Sequence, residues 1–321
     1  MGKKKKFIVN AVIAIVVYAV MMVLLNQGLL NRQMKSLITP ICTNVMLAVS
    51  LCLIVGFLGE LTLGHAGFMS LGAYAGALVT MNLDAPPYIS LTLAVIVGGC
   101  VAALAGLLIG VPVLRLKGDY LAIVTLGFGE IIRSVVNSMK ITGGARGLSG
   151  IEKMTNYNHF TVVYILTLIV IIVVSNLVNS RHGRAVCAIR DNYIAAEACG
   201  IPVSKFKIMA FVISAFLAGM AGVVYAHNIG ILKPANFDYN TSIEILVMVV
   251  LGGMGSIRGS IIAAVILTAL PELLRDAADY RMLIYSIVLI AMMLFRNSKF
   301  NAALIEKKNE KTIAKFQKEG E

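Results

Sequence analysis

The chain has 321 residues, 59% of them hydrophobic and 14% charged, with a net charge of +12 and a mean hydropathy of +0.87. Soluble domains carry about 25% charge, so this composition excludes a soluble enzyme and points to an all-α, polytopic transmembrane helical bundle. Much of the positive charge sits in Lys3-Lys4-Lys5-Lys6 and in the tail from Arg296 to Lys318; beside apolar spans, the cytoplasmic bias of basic residues and anionic lipid headgroups account for such runs without nucleic acid.

The first apolar run, Phe7 to Leu25, follows the four lysines and leads into Asn26-Gln27. It is longer than the roughly 7–15-residue core of a signal peptide and lacks a small-residue cleavage site, so it is read as a first span. Lys6 stands where a myristoylation signal needs Ser or Thr. About 20 apolar residues cross a hydrocarbon core roughly 30 Å thick. Further spans are predicted on that basis near 37–57, 62–81, 88–114, 120–138, 160–179, 206–230, 242–256, 257–274 and 281–295. That makes about eight to ten crossings, and either even number leaves both termini on one side. The segments at 242–256 and 257–274 are short and divided only by the glycine-rich run Gly252 to Gly259. They read as broken or re-entrant helices, which a membrane tolerates only where protein or water surrounds them.

With the lysine-rich start in the cytoplasm, the loops at Arg115-Leu116-Lys117 and Arg181 to Lys207 fall inside, as does the C-terminal tail. The loops at Asn82 to Tyr88 and Ile231 to Asn240 fall outside with little positive charge, while Arg32, Lys35, Arg146 and Lys153 run against this scheme. The organisation expected is a basic N-terminus and first helix over 1–36, a transmembrane domain over 37–295 containing a cytoplasmic loop at 181–205, and a basic tail over 296–321.

Small residues recur through the spans, with Gly64, Gly67, Gly72 and Gly76 along the third and Gly98, Gly99, Gly106 and Gly110 along the fourth. This spacing lets helix backbones approach closely where lipid supplies no hydrophobic drive for association. Tryptophan is absent, so tyrosine and lysine must form the interfacial belt. The five cysteines, at 42, 52, 100, 187 and 199, are odd in number and lack a Cys-x-x-Cys spacing. They support neither a disulfide framework nor a metal site and read as small fillers.

The long polar segment from Arg181 to Ile201 stands between two blocks of membrane-grade hydrophobicity. Within it a short helix is predicted, with Asp191 or Asn192 as N-cap, an alanine-rich body, Gly200 as C-terminal stop and Pro202 beyond. Two readings stand open: an exposed handle for a soluble partner, or an ordinary solvated connection.

No Walker A pattern, His-Glu-x-x-His motif or nucleophile elbow occurs, so the sequence assigns no catalytic residue, metal or bound cofactor. Few ionisable groups lie within the spans. Glu130 and Arg133 fall three apart on one helical face and can neutralise each other, as structural partners or as part of a pathway. Glu60 and His65 border the small-residue third span, and Asp119 and Glu244 mark span ends.

Taken together, these residues resemble the M-type permease subunit of the high-affinity branched-chain amino-acid ABC importers. The resemblance rests on Leu63-Gly64-His65-Ala66-Gly67-Phe68 with Gly72-Ala73-Tyr74, and on the run from Gly118-Asp119-Tyr120 through Thr125 to Glu130 and Arg133. Thr142-Gly143-Gly144, Gly183-Arg184, Ala188-Ile189-Arg190-Asp191-Asn192, Ala195-Ala196-Glu197-Ala198 with Gly200-Ile201, and Leu251-Gly252-Gly253-Met254-Gly255-Ser256 follow in the family's order.

What the resemblance implies is a transport subunit of the prokaryotic plasma (inner) membrane rather than an enzyme. It implies a sister H-type permease, two ABC ATPase subunits that carry ATP and magnesium, and an extracytoplasmic solute-binding protein received by the outer loop Lys140 to His159. The polar segment then resembles a coupling helix, with Gly183, Arg184, Arg190, Asp191, Asn192, Ala195, Ala196, Glu197 and Gly200 as docking residues. In that role the alanines would allow close contact while Arg184, Arg190, Asp191 and Glu197 set orientation. Glu60, Gly64, His65, Gly67, Gly72, Thr125, Glu130 and Arg133 are the candidates for pathway or helix packing. Related permeases serve branched-chain amino acids, urea or short amides, more distant ones pentoses, and an ion-coupled carrier is the alternative from another class.

Overall fold

The computed structural model describes residues 3–26, 31–83, 85–116, 118–155 and 157–274; beyond these only isolated positions are described, so the expected span at 281–295 and the basic tail lie outside them. Two compact units divide the chain, Met1–Val265 and Ile266–Glu321. All the contacts below lie within the first.

The helices follow the apolar runs. They are α1 (Lys3–Asn26), α2 (Arg32–Cys52), α3 (His65–Asn82), α4 (Pro87–Val113), α5 (Asp119–Ser138), α6 (Phe160–Asn179), α7 (Arg181–Asp191), α8 (Tyr193–Ala198), α9 (Val203–Ile229), α10 (Tyr239–Gly252) and α11 (Ile257–Leu273). Among the described residues, five helical stretches are long and apolar enough to cross a membrane: Met34–Leu58, Pro87–Val113, Asp119–Ser138, Phe160–Asn179 and Val203–Ile229. Helix α3, dense in glycine and alanine, has 18 residues, and α10 and α11 have 14 and 17. The two predicted short segments are therefore two short helices that meet at a glycine-rich turn.

The core is built by α2, α3, α4 and α9, which pack closely together. Glycine makes this possible. A Cβ on Gly72 of α3 would overlap the Cα and carbonyl oxygen of Gly219 on α9, and one on Gly222 would overlap the Met69 carbonyl. The backbones touch at these points, as expected for helix association in lipid. Phe211 and Phe68 fill the space beside this crossing, with ring centroids 5.5 Å apart and an interplanar angle of 86°. Outward faces are apolar instead: Leu108 on α4 is 76% exposed and Ile131 on α5 is 56% exposed. Helix α1 rests on α6, where the Tyr164 hydroxyl donates to the Ala14 carbonyl at 2.8 Å and Tyr18 stacks on Phe160.

At one end of the bundle the two irregular stretches between α5 and α6 and between α9 and α10 are tied by a short antiparallel pair, β1 (Leu148–Ser149) with β2 (Ile231–Leu232). Thr155 anchors the first of them, its hydroxyl donating to the Val224 carbonyl at 2.8 Å and its carbonyl accepting from the Thr39 hydroxyl at 2.9 Å. At the other end α2 continues into a π-helical stretch, Leu53–Leu58, that stops at Gly59 with φ of 77°. A π-turn shifts the usual i−4 pairing and leaves main-chain carbonyls available to other partners.

Candidate functional site

The polar segment forms two helices. Ser180 caps α7, its hydroxyl accepting from the Gly183 amide at 3.2 Å. Gly183 itself is pressed against the Leu177 and Val178 carbonyls, where a Cβ has no room. Helix α7 buries Val186 and Ile189 and exposes Arg181, His182 and Arg184. Asn192 then caps α8, its side-chain oxygen accepting from the Ile194 and Ala195 amides, each at 3.1 Å. Gly200, at φ of 80°, closes α8 with a paired C-cap in which Ile201 N–H donates to the Ala196 carbonyl at 3.1 Å and Gly200 N–H to the Glu197 carbonyl at 2.9 Å.

Of the two N-caps that the sequence offered, Asn192 serves. Asp191 is no cap: it ends α7 and pairs with Arg190 at 2.8 Å. Ala196 is the one buried residue of α8, and Tyr193, Ile194, Ala195, Glu197 and Ala198 are exposed. Arg190 is 38% exposed, and its guanidinium spans from Asp191 to the bundle. Its Nη1 donates to the Gly56 carbonyl in the π-helical stretch at 3.1 Å, and its aliphatic stem occupies the place where a Cβ on Gly59 would sit, 2.6 Å from Cγ. Gly56 in turn lies against Gly255 of the α10–α11 turn, where an added Cβ would be 3.0 Å from Gly255 Cα. One guanidinium thus joins the exposed polar segment to the end of α2, which itself packs against the turn between the two short helices.

Beside this junction Lys207, the fifth residue of α9, forms an ion pair with Glu60. Their side chains are only 10% and 13% exposed. Such a pair repays its desolvation only when intact, and removing one partner leaves a buried charge. Lys207 was not singled out from the sequence.

The motif around Gly64 gathers next to it. Thr125 on α5 accepts from the Leu63 amide at 3.1 Å and donates to the Ala122 carbonyl at 3.0 Å. The Ala66 amide donates to Ser242 of α10 at 3.1 Å. The Ala66 amide, one of the first N–H groups of α3 that no helix can satisfy internally, is therefore met by a side chain of α10, and Thr125 of α5 holds the residue just before the cap. His65 is fully buried. Ser50 donates to the Leu47 carbonyl at 2.8 Å, which leaves it to accept from His65 Nε2–H at 2.7 Å and fixes that tautomer. Gly64 and Gly67 lie against α5, a Cβ on the first meeting the Thr125 carbonyl at 2.6 Å and on the second Gly129 Cα at 3.1 Å. Gly72 sits farther along α3, on α9. Glu60, Gly64, His65, Gly67 and Thr125 thus cluster as packing and capping groups.

Glu130 and Arg133 stand apart. They pair with each other at 2.6 Å, with Glu130 30% and Arg133 40% exposed. Glu130 lies about 16 Å along α5 from Asp119 at 1.5 Å per residue, close to the middle of a span. Each charge there costs about 2.5–3.5 kcal/mol on insertion scales. Near them Asp238 caps α10, accepting from the Thr241 amide and hydroxyl at 3.0 and 3.1 Å and from Asn240 at 3.0 Å. Burial pushes the Asp238 carboxyl up, but these hydrogen bonds and the charge of Arg133 together outweigh it and hold the pKa below the usual value.

Three or more metal-ligating side chains do not converge anywhere among the described residues. No solved structure matches the chain. Residues 33–296 match the family model described as branched-chain amino acid transport system / permease component. The high-affinity branched-chain amino acid transport system permease protein LivM of Salmonella typhimurium is 37% identical over 84% of this chain and 70% of its own length. Its namesake in Escherichia coli K12 is 35% identical over 92% and 74%. The fructose import permease FruG of Bifidobacterium longum is 23% identical over 89% and 90%. With the apolar helices and that match over most of its length, the chain is an integral membrane protein and belongs to the permease component family of branched-chain amino acid transport systems.

Proposed function

We propose that this chain is the permease subunit of an ATP-driven importer of branched-chain amino acids in a prokaryotic plasma membrane, working beside a sister permease, two ATPases and an extracytoplasmic binding protein. Both termini lie in the cytoplasm, and the tail after residue 295 is a cytoplasmic appendage. The likeness to permeases named for these amino acids supports the substrate class. ATP and magnesium belong to the ATPases, and this chain supplies the mechanical part.

The observation that carries the reading is the Arg190 junction. Ile194, 64% exposed, and Glu197 offer a contact surface on α8, and Asn192 and Gly200 fix that short helix at both ends. A helix this short is not stable by itself, so its caps and the burial of Ala196 hold it in shape. Movement of the docked ATPases passes from α8 to Arg190, and through it to Gly56 at the end of α2 and to the α10–α11 turn.

The test is reconstitution of the chain with its sister permease, ATPases and binding protein in vesicles. ATP-dependent uptake of radiolabelled leucine is expected, and the isolated chain should hydrolyse no ATP. Hydrolysis by the pure chain, or a complete complex that leaves leucine outside, would refute the reading.

A further inference from the structure

Helix α5 presents three faces. Leu121, Ala122, Thr125 and Val136 are buried against the bundle. Tyr120, Ile131 and Val135 are exposed and apolar, as lipid requires. Between these faces run Glu130, Arg133, Ser134 and Asn137, at the i, i+3, i+4, i+7 spacing that shares one side of a helix, and none of the four is buried. Gly127, one turn earlier on that side, opens on no atom within 4 Å.

The polarity continues onto the neighbouring element. Arg133 lies within electrostatic reach of Asp238, and Asp238 within reach of Glu244, which is exposed on α10. Hydrocarbon satisfies neither the charges nor the amides of such a stripe, so it faces water or protein. Toward the start of the helix, Leu126 and Ile123 extend the same side with apolar groups, four and seven residues before Glu130.

A dipolar pair next to an apolar patch matches the chemistry of a zwitterion whose ammonium and carboxylate flank one carbon bearing an apolar side chain. Resting on the importer reading above, we propose that this stripe lines the translocation path, and that Glu130 receives the α-ammonium and Arg133 the α-carboxylate of the passing amino acid, with Leu126 and Ile123 beside its side chain. The pair opens to admit the zwitterion and closes when it leaves. Each charge exchanges one opposite partner for another, so net charge is conserved and no proton moves.

Two measurements on the complete reconstituted complex test this. In a background with the five native cysteines replaced, S134C should react with a charged, membrane-impermeant thiol reagent at least about tenfold faster than V135C on the lipid-facing side. In complexes of wild-type stoichiometry, E130Q and R133Q should each raise the KM for leucine about tenfold or more. Equal reaction rates at positions 134 and 135, a disulfide from S134C to the sister permease in place of reagent labelling, or wild-type KM values in both variants would overturn the assignment. If the wild-type complex carries a solute other than leucine, the substrate reading fails, and the labelling contrast still decides whether the stripe lines a path.

Discussion

Replacing Gly72 by alanine tests the helix crossing on which the bundle depends. A Cβ at that position falls well inside 3.0 Å of the Gly219 backbone, a separation real Cβ atoms essentially never show. Backbone cannot swing aside like a flexible side chain, so α3 and α9 must move apart. Overpacking of this kind costs about 1–3 kcal/mol. Gly127 provides the control, because a Cβ there meets no atom within 4 Å, and Gly→Ala at an unstrained position stabilises by about 0.4–1 kcal/mol. The two variants should therefore differ by about 1.4–4 kcal/mol. At about 2–4 °C per kcal/mol that corresponds to roughly 3–16 °C in the midpoint of thermal loss, read as the monodisperse fraction of detergent-purified protein after heating. Gly67→Ala, with Gly129 Cα at 3.1 Å, should fall between them. Equal midpoints for Gly72→Ala and Gly127→Ala would refute the close crossing.

Further outcomes follow from individual contacts. Lys207→Met or Glu60→Gln should each destabilise the chain by about 3–5 kcal/mol, whereas the paired Glu60→Leu, Lys207→Leu change should cost much less, because it leaves no uncompensated charge; thermal midpoints of the three variants check this. Asn192→Ala should destabilise α8 by about 1 kcal/mol, seen as faster amide exchange at Ile194 and Ala195. Asp238 has a folded pKa below its unfolded value, so it contributes stability that is present above the unfolded pKa and lost as pH falls through the folded one. Asp238→Asn should therefore flatten the fall in thermal midpoint below about pH 4, and an unchanged pH profile would contradict the cap.

Much of this architecture is written locally. Span positions follow from runs of apolar residues, and Asn192 and Gly200 announce the ends of α8 because cap chemistry is confined to a few consecutive residues. The close approach at Gly67 and Gly72 also shows as spacing of small residues along one helix. Contacts across long separations carry no such signal. Glu60 and Lys207 are 147 residues apart, and Arg190 reaches Gly56 across 134. The reach of Arg190 back to the bundle becomes visible only once the π-helical stretch places the Gly56 carbonyl beside it. An alanine fits a docking face and a buried face equally well, so the burial of Ala196 is not legible locally either. The arginines of α7 obscure it in the sequence, although the three-residue spacing of Gly183, Val186 and Ile189 marks its packed side.

We propose that movement of the exposed helices reaches the transmembrane segments chiefly through the Arg190 guanidinium. The most direct measurement compares ATP hydrolysis and leucine uptake in the same vesicles for the complete complex carrying Arg190→Met, which keeps the stem over Gly59 but removes the hydrogen bond to Gly56. The ATPases should still bind in normal stoichiometry, because Ile194 and Glu197 are untouched, while leucine taken up per ATP falls at least about tenfold. Wild-type uptake per ATP in that variant would contradict the account.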